Sequence, residues 1–167
     1  MSTRGFVGFK TNNKEDREGN IFGVYNHYDS YYSGKGIELF EIYRKTDKEA
    51  FRNIFNSIKW TNDEGVDNRV DVIELFEGLS DDKEIYNNSS FLSDGLYCEY
   101  GYVYNLEEDS LELYRGFFTE PQSEELDKYG YRAYDGTVYH THKVYTITRD
   151  SDLDKVEDML KNMGYDE

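Results

Sequence analysis

Aromatic side chains decide whether this chain can bury a core. Its 167 residues include 17 tyrosines, 10 phenylalanines and one tryptophan, whereas hydrophobic residues of all kinds make up 37%. A mean hydropathy of −0.88 combined with a net charge of −16 is typical of disordered chains. Each aromatic ring, however, buries far more surface than an alanine. We therefore expect a folded protein with one domain over residues 1–167.

Acidic residues are concentrated in the last two thirds of the chain. Residues 1–60 contain ten Lys/Arg and eight Asp/Glu, whereas residues 61–167 contain nine and twenty-seven. Such a field repels nucleic-acid backbones and membrane surfaces and attracts basic proteins. No segment approaches the roughly 20 apolar residues that span a bilayer. The sequence therefore predicts a basic protein partner, with no direct binding to nucleic acid or to a membrane.

The cysteine content and the first residues indicate a compartment. A single cysteine, Cys98, excludes an intrachain disulfide and suits a reducing environment. The segment Met1–Phe6 lacks the long apolar stretch of a signal peptide. We therefore expect a cytoplasmic protein.

The first sixty residues predict a hairpin followed by two helices. Gly5–Lys10 and Ile21–Tyr25 are the predicted strands, joined by the polar run Thr11–Asn20. One helix is expected to begin after Gly36. The second is capped by Thr46 or Asp47, and its apolar residues recur at i, i+3, i+4 and i+7: Phe51, Ile54, Phe55 and Ile58.

The remaining residues predict strands and a last helix. Val70–Phe76 is a predicted strand, although two acidic residues interrupt its alternation, and long loops are expected over Asp81–Gly95 and Thr119–Gly136. The other predicted strands are Leu96–Asn105, Leu111–Phe117 and Thr137–Thr148. A capping box beginning at Ser151 predicts a C-terminal helix that ends at Gly164. Together these elements predict an α+β fold with a mainly antiparallel sheet.

The segment Tyr25–Gly36 is the first candidate site. It leaves a strand, carries many hydrogen-bonding side chains and enters a helix through two glycines. Amides at a helix start can hold an anion, and Lys35 adds positive charge. The stretch Ser33–Gly36 lacks the first glycine and the hydroxyl residue of a P-loop. A connection stabilised by its own side chains is the alternative. The candidate ligand-binding residues are Tyr25, Asn26, Asp29, Ser30, Tyr31 and Lys35.

Two stretches resemble a family of small phage and bacterial proteins of no established activity. Gly23–Tyr31 reads Gly-x-Tyr-Asn-x-x-Asp-Ser-Tyr and is followed by Gly-x-Gly at Gly34–Gly36. Tyr102–Leu106 and Leu111–Phe117 are similar to the family's second recurring stretch. The family's usual proline is Tyr32 here. The resemblance covers residues 5–117 in outline and implies a phage or mobile-element setting, but no reaction.

Catalytic and metal sites are weakly supported by the sequence. His140 and His142 share a face of one predicted strand, so that His27 or Cys98 could complete a zinc site, but no recognised ligand spacing accompanies them. Ser30 has a histidine and an aspartate nearby without a nucleophile-elbow motif. We assign no catalytic residue, metal or cofactor. An acid–base enzyme of unspecified type stays open as an alternative.

Clusters of carboxylates are the second candidate site. A rigid acidic surface can occupy a basic groove built for phosphates, as on a defence nuclease or another nucleic-acid-handling protein. We interpret the chain as a non-enzymatic inhibitor of this kind. A ligand-binding module at Tyr25–Gly36 and a self-associating structural component are the alternatives. The candidate partner-binding residues are Glu107, Glu108, Asp109, Glu120, Glu124, Glu125, Asp127, Asp152, Asp154, Glu157 and Asp158.

Overall fold

The structure is a computed structural model that describes residues 3–11, 20–66, 70–79, 84–122 and 130–163. Its strands are β1 (Gly5–Lys10), β2 (Ile21–Asn26), β3 (Lys59–Thr61), β4 (Glu84–Tyr86), β5 (Tyr100–Asn105), β6 (Ser110–Phe118), β7 (Tyr131–Arg132) and β8 (Val138–Ile147). The α-helices are α1 (Ile37–Lys45), α2 (Lys48–Ser57), α3 (Val72–Glu77) and α4 (Leu153–Asn162). Helices and a largely antiparallel sheet occur together, so the predicted α+β class is confirmed.

Six strands form the main sheet, in the order β2-β1-β5-β6-β8-β7. The pair β1–β2 is antiparallel from Gly5 opposite Asn26 to Lys10 opposite Ile21, which confirms the predicted hairpin. Residues 12–19 of the connection between these strands lie outside the described residues. The central pair, β1–β5, is parallel, and the pairs β5–β6, β6–β8 and β7–β8 are antiparallel.

One face of this sheet packs against the helices through aromatic rings. Tyr100, Tyr102 and Tyr104 alternate along β5, and all three side chains are buried in the main core. The ring of Tyr104 stacks on Phe51 of α2, with centroids 4.0 Å apart. The expectation that aromatic residues supply the core is therefore confirmed.

The opposite face is covered by a short 3₁₀ turn, Ser89–Ser93. Leu92 of this turn is fully buried beside Val103 and Tyr114 of the sheet. The turn lies in the segment Asp81–Gly95, which the sequence predicted as a long loop. Strand β4 lies there as well and pairs in parallel with β3.

Helices α1 and α2 confirm the predictions for residues 37–57. The carboxylate of Asp47 accepts a hydrogen bond from the Ala50 amide at 2.8 Å, so Asp47 caps α2 as the sequence allowed. α1 is preceded by one π-helical turn, Tyr32–Gly36.

The predicted strand Val70–Phe76 is wrong, because this segment forms helix α3. Asp71 is the N-cap of α3, and its carboxylate accepts a hydrogen bond from the Ile73 amide at 2.8 Å. The buried residues of α3 lie at i, i+3 and i+4: Val72, Leu75 and Phe76. The acidic residues that interrupt the alternation are a cap and a first-turn glutamate, and both favour a helix start.

Three further features differ from the predictions: the start of β5, the presence of β7 and the cap of α4. Strand β5 begins at Tyr100 rather than at Leu96, and β7 lies within the predicted loop Thr119–Gly136. Asp152, not Ser151, caps α4, because its carboxylate accepts from the Lys155 amide at 3.2 Å. The predicted helix end at Gly164 lies outside the described residues. None of the helices in the described ranges combines the length and the apolar composition needed to cross a membrane.

Candidate functional site

The acidic turn Glu107–Asp109 joins β5 to β6, as predicted. The side-chain oxygen of Asn105 accepts hydrogen bonds from the amides of Glu107 and Glu108, each at 3.0 Å, and this fixes the shape of the turn. Asp109 adopts a left-handed conformation with φ of 53°. The side chains of Glu107 and Glu108 are exposed on this fixed backbone, whereas Asp109 is partly buried.

Arg149 anchors the acidic turn to the rest of the molecule. Its guanidinium binds the Asp109 carboxylate at 3.2 Å and donates to the carbonyls of Tyr43 and Thr46 at 2.6 Å. It also lies 3.9 Å from the centre of the Tyr43 ring. Tyr43 is fully buried, and its burial raises the pKa of the phenol to about 12. Arg149 thus holds the acidic turn, the end of α1 and the segment that leads into α4 together.

The second acidic segment follows Arg149 directly. Asp150 and Asp152 are exposed, and the Asp152 carboxylate caps α4. Because Arg149 binds Asp109, the acidic turn and the start of α4 lie at the same end of the sheet. The name acidic platform is used below for Glu107–Asp109 together with Asp150 and Asp152.

Further along α4, the acidic residues are bound by cations of the protein itself. Arg44 of α1 contacts Asp154 at 3.1 Å and Glu157 at 3.0 Å, and Lys161 contacts Glu157 at 3.0 Å. Asp158 is exposed. These ion pairs reduce the net negative field that this part of α4 offers to a partner.

Glu41 of α1 adds a carboxyl group beside Glu157. Its Oε1 atom is buried without a hydrogen-bond partner among the described residues. Interaction with the neighbouring Glu157 carboxyl group raises the pKa of Glu41, and partial burial adds to the shift. The contact with Lys161 lowers the pKa of Glu157. The two carboxyl groups therefore hold protons with different affinity at one helix–helix contact.

Of the remaining predicted partner-binding residues, the structure describes Glu120, which lies away from the platform. Glu120 follows the far end of β6, a strand of nine residues and so about 30 Å long. Glu124, Glu125 and Asp127 lie outside the described residues. Among the described residues of the acidic set that the sequence proposed, the platform contains Glu107, Glu108, Asp109 and Asp152.

The first candidate site, Tyr25–Gly36, is a connection with many internal hydrogen bonds. Ser30 is buried at its centre, where its amide donates to the Thr3 hydroxyl at 2.8 Å and its carbonyl accepts from the Tyr102 hydroxyl at 2.6 Å. The Asn26 amide group donates to the Ser30 hydroxyl and to the Tyr28 carbonyl, both at 2.7 Å. Asp29 is exposed and left-handed, with φ of 56°.

The backbone amides that the sequence suggested as anion donors are also used within the connection. Gly34 and Gly36 donate to the Tyr31 carbonyl at 2.9 and 3.3 Å, and Lys35 donates to the Asp29 carbonyl at 2.8 Å. A Cβ atom added at Gly34 would lie 2.7 Å from the Asp29 carbonyl oxygen, so this glycine permits close packing of the chain on itself. The Lys35 ammonium lies 3.7 Å from Glu38. These contacts favour the interpretation of a self-stabilised connection, and ligand binding there stays a prediction.

The histidines and the cysteine are distributed over separate environments. His27 shares a hydrogen bond of 2.6 Å with the Tyr25 hydroxyl, and His142 stacks on Phe118 with centroids 3.8 Å apart. His140 and Cys98 are buried. No group of three or more His, Cys, Asp and Glu residues in the described part of the chain is placed to hold a metal ion.

Arg149 is the residue of this region that sequence reasoning missed. It is the one base in the stretch Thr148–Asp154, which contains three aspartates. A lone cation within an acidic run is a signal for an ion pair. Its partners could not be read from the sequence, since they lie 40 to 106 positions away along the chain.

Comparisons with protein families, with curated proteins and with solved structures return no match.

Proposed function

We propose that this chain is a non-enzymatic binding protein whose acidic platform occupies the phosphate-binding surface of a basic protein. The observation that carries the proposal is the Arg149 anchor. It joins two acidic segments that are about 40 positions apart in the sequence. Four carboxylates of these segments stay exposed: Glu107, Glu108, Asp150 and Asp152.

The fixed backbone beneath these carboxylates supports the proposal. Asn105 shapes the turn, and Arg149 is itself bound at three positions, so little conformational freedom is left to lose on binding. A net charge of −16 adds long-range attraction to a basic partner and speeds association. The resemblance to phage proteins points to a host protein that handles or cleaves nucleic acid as the partner.

A ligand module at Tyr25–Gly36 is the second candidate. The exposed Asp29 and partly exposed Lys35 leave polar groups at its surface. We rank it second because its backbone amides already donate to carbonyls of the same connection. An anion would have to displace these hydrogen bonds.

The test is a capture experiment with matched charge variants. Tagged protein is incubated with cell lysate, eluted with a salt step and weighed by native mass spectrometry. The triple variant Glu107→Gln/Glu108→Gln/Asp152→Asn removes three charges from the platform, and asparagine retains the capping role of Asp152. We expect a basic protein in stoichiometric amount with the unmodified chain, its release by salt, and its loss with the triple variant.

The matched control removes three exposed carboxylates from other elements. Glu64→Gln/Glu77→Gln/Glu84→Gln alters the net charge equally, at residues near β3, in α3 and in β4. This control should retain the partner. Equal loss with both triple variants would mean that net charge alone governs association, and retention with both would remove the platform from the interface.

A further inference from the structure

A small pocket lies between α4 and the β6–β8 part of the sheet, away from the acidic platform. Its volume is about 270 Å³, just below the range of about 300–1,000 Å³ that is usual for ligand pockets. Strands β6 and β8 form its floor, and the C-terminal half of α4 forms one wall. The residues used in the argument are Tyr32, Arg115, Val144, Tyr145, Met159 and Met163.

Most residues of the pocket wall are apolar, and two of them are exposed to solvent. Val144 and Tyr145 of β8 are 45% and 40% exposed, although the residues around them belong to a packed sheet. Met159 and Met163 are partly buried and pack at the edge of the main core. Unbranched thioether side chains adapt to ligands of different shape. An exposed apolar concavity of this kind is the type of surface that binds a small apolar molecule.

Arg115 supplies the one positive charge in the pocket wall. Its guanidinium lies 4.2 Å from the centre of the Tyr100 ring, and Nη1 donates to the Glu99 carbonyl at 3.1 Å. Among the described residues, no carboxylate forms an ion pair with it. A guanidinium has five N–H donors, so several remain for a carboxylate.

The buried phenol of Tyr32 lines the same pocket. Burial raises the pKa of this phenol well above its ordinary value, and the charge of Arg115 opposes the shift. Tyr32 therefore stays neutral at physiological pH and adds an aromatic surface beside the guanidinium. The pocket thus combines an apolar body with a single cationic group.

We propose that this pocket binds a small apolar molecule with one carboxylate group, the carboxylate at Arg115 and the apolar body against Met159, Met163 and Val144. The inference goes beyond the proposed function and does not depend on it. The strong negative field of the protein disfavours ligands with several negative charges, such as nucleotides. A monocarboxylate brings one charge, which Arg115 neutralises, and gains affinity from its apolar part.

The test compares two ligands of the same apolar shape. 4-Phenylbutyrate carries the carboxylate, and 4-phenylbutan-1-ol replaces it with a neutral hydroxyl. Isothermal titration calorimetry should show that the carboxylate binds at least roughly tenfold more tightly, the gain expected from a charged hydrogen bond. Arg115→Gln should abolish this preference, because it lowers the affinity for 4-phenylbutyrate and leaves the affinity for the alcohol unchanged.

Two further variants keep the proposal falsifiable if Arg115→Gln fails to fold. Met159→Trp leaves Arg115 in place and fills the pocket, so it should abolish binding of both ligands. Arg132→Gln removes an exposed arginine of β7 and should leave the tenfold preference intact. Equal affinity of the two ligands, no binding of either, or the same loss with Arg132→Gln would overturn the proposal.

A second copy of the chain is the competing occupant of this surface. Sedimentation of the unmodified protein and of Tyr145→Arg distinguishes the two. A monomer that binds 4-phenylbutyrate supports the small-molecule site. A dimer that dissociates in Tyr145→Arg and is unaffected by 4-phenylbutyrate would overturn it.

Discussion

The acidic turn Glu107–Asp109 and the connection Tyr25–Gly36 share two structural features but differ in which polar groups they leave exposed. Each contains an aspartate in a left-handed conformation, Asp109 and Asp29. Each also receives a hydrogen bond of 2.6 Å from a tyrosine hydroxyl of β5. In the turn, Tyr104 binds a side-chain carboxylate, whereas in the connection Tyr102 binds the buried carbonyl of Ser30.

The difference lies in which groups are left after the internal hydrogen bonds form. In the connection, the amides of residues 34–36 and the Asn26 side chain donate to acceptors of the connection itself, and the Ser30 amide donates to Thr3. The turn uses Asn105 and Asp109 for support and leaves two glutamates exposed. A high density of hydrogen-bonding residues in a sequence therefore indicates a tightly bound loop as readily as a binding site.

Gly5→Ala tests how tightly the connection is packed and should have the largest effect. A Cβ atom at residue 5 would lie 2.7 Å from Ser30 Cβ and 2.7 Å from the Tyr100 carbonyl oxygen. Because one of these neighbours is backbone, relief requires a shift of β1 or β5, at a cost of about 3 kcal/mol. Urea unfolding measures the free-energy change. The exposed Gly65→Ala serves as the control, and an equal effect of both would show that the connection is loosely held.

Arg149→Met should have the next largest effect, because it releases the acidic turn. The variant leaves the carbonyls of Tyr43 and Thr46 without their donor and Asp109 without its cation. We expect a loss of about 2 kcal/mol in the free energy of unfolding. Arg132→Met is the matched control, on an exposed strand. If the two variants unfold at the same urea concentration, the turn does not depend on Arg149.

Tyr102→Phe and Tyr104→Phe compare the two loops directly. Removing the Tyr102 hydroxyl leaves the buried Ser30 carbonyl unpaired, at a cost of about 1.5 kcal/mol. Removing the Tyr104 hydroxyl costs less, about 0.5 kcal/mol, since Asp109 keeps its contacts with Arg149. Urea unfolding of both variants tests the order. The reverse order would mean that the turn, not the connection, is the more tightly bound of the two.

Glu41→Gln should have the smallest effect on the free energy of unfolding, and the size of this effect should depend on pH. The pKa of Glu41 is raised from its ordinary value of 4.5, so the folded state holds this proton more tightly than the unfolded chain. The resulting stabilisation is complete below pH 4.5 and is lost as the pH rises through the raised pKa. Glutamine lacks this titration, so the variant should gain stability relative to the unmodified protein as the pH rises above 4.5. A difference in urea midpoint that is independent of pH would contradict the carboxyl pair.

Elements whose pattern is local were predictable from the sequence. The apolar spacing over residues 51–58 and the Asp47 cap define α2 without reference to the rest of the chain. Helix α3 has six residues, fewer than two turns, so its apolar residues did not distinguish it from a strand. Strands β4 and β7 have three and two residues, too few to show an alternating pattern, and each is defined by its pairing, β4 with β3 and β7 with the neighbouring β8.

The candidate site was only partly predictable for the same reason. The acidic turn followed from its composition between two strands. Its position next to the start of α4 depends on Arg149. The acceptors of Arg149 lie in α1, in the residue that follows α1 and in the acidic turn. The pocket at Arg115 depends on three elements that are adjacent only in the folded chain: the π-helical turn, the β6–β8 pair and α4. Neither arrangement leaves a pattern within one segment.

The parallel pairing of β1 with β5 has a consequence for synthesis of the protein. The hairpin β1–β2 can form within microseconds of leaving the ribosome. Its partner begins at Tyr100, so at 5–20 residues per second the inner edge of β1 waits roughly 4–15 s. During that interval an apolar strand edge is open to other chains, which is a hazard for aggregation. We therefore expect the yield of folded protein during translation to depend on chaperones that cover this edge.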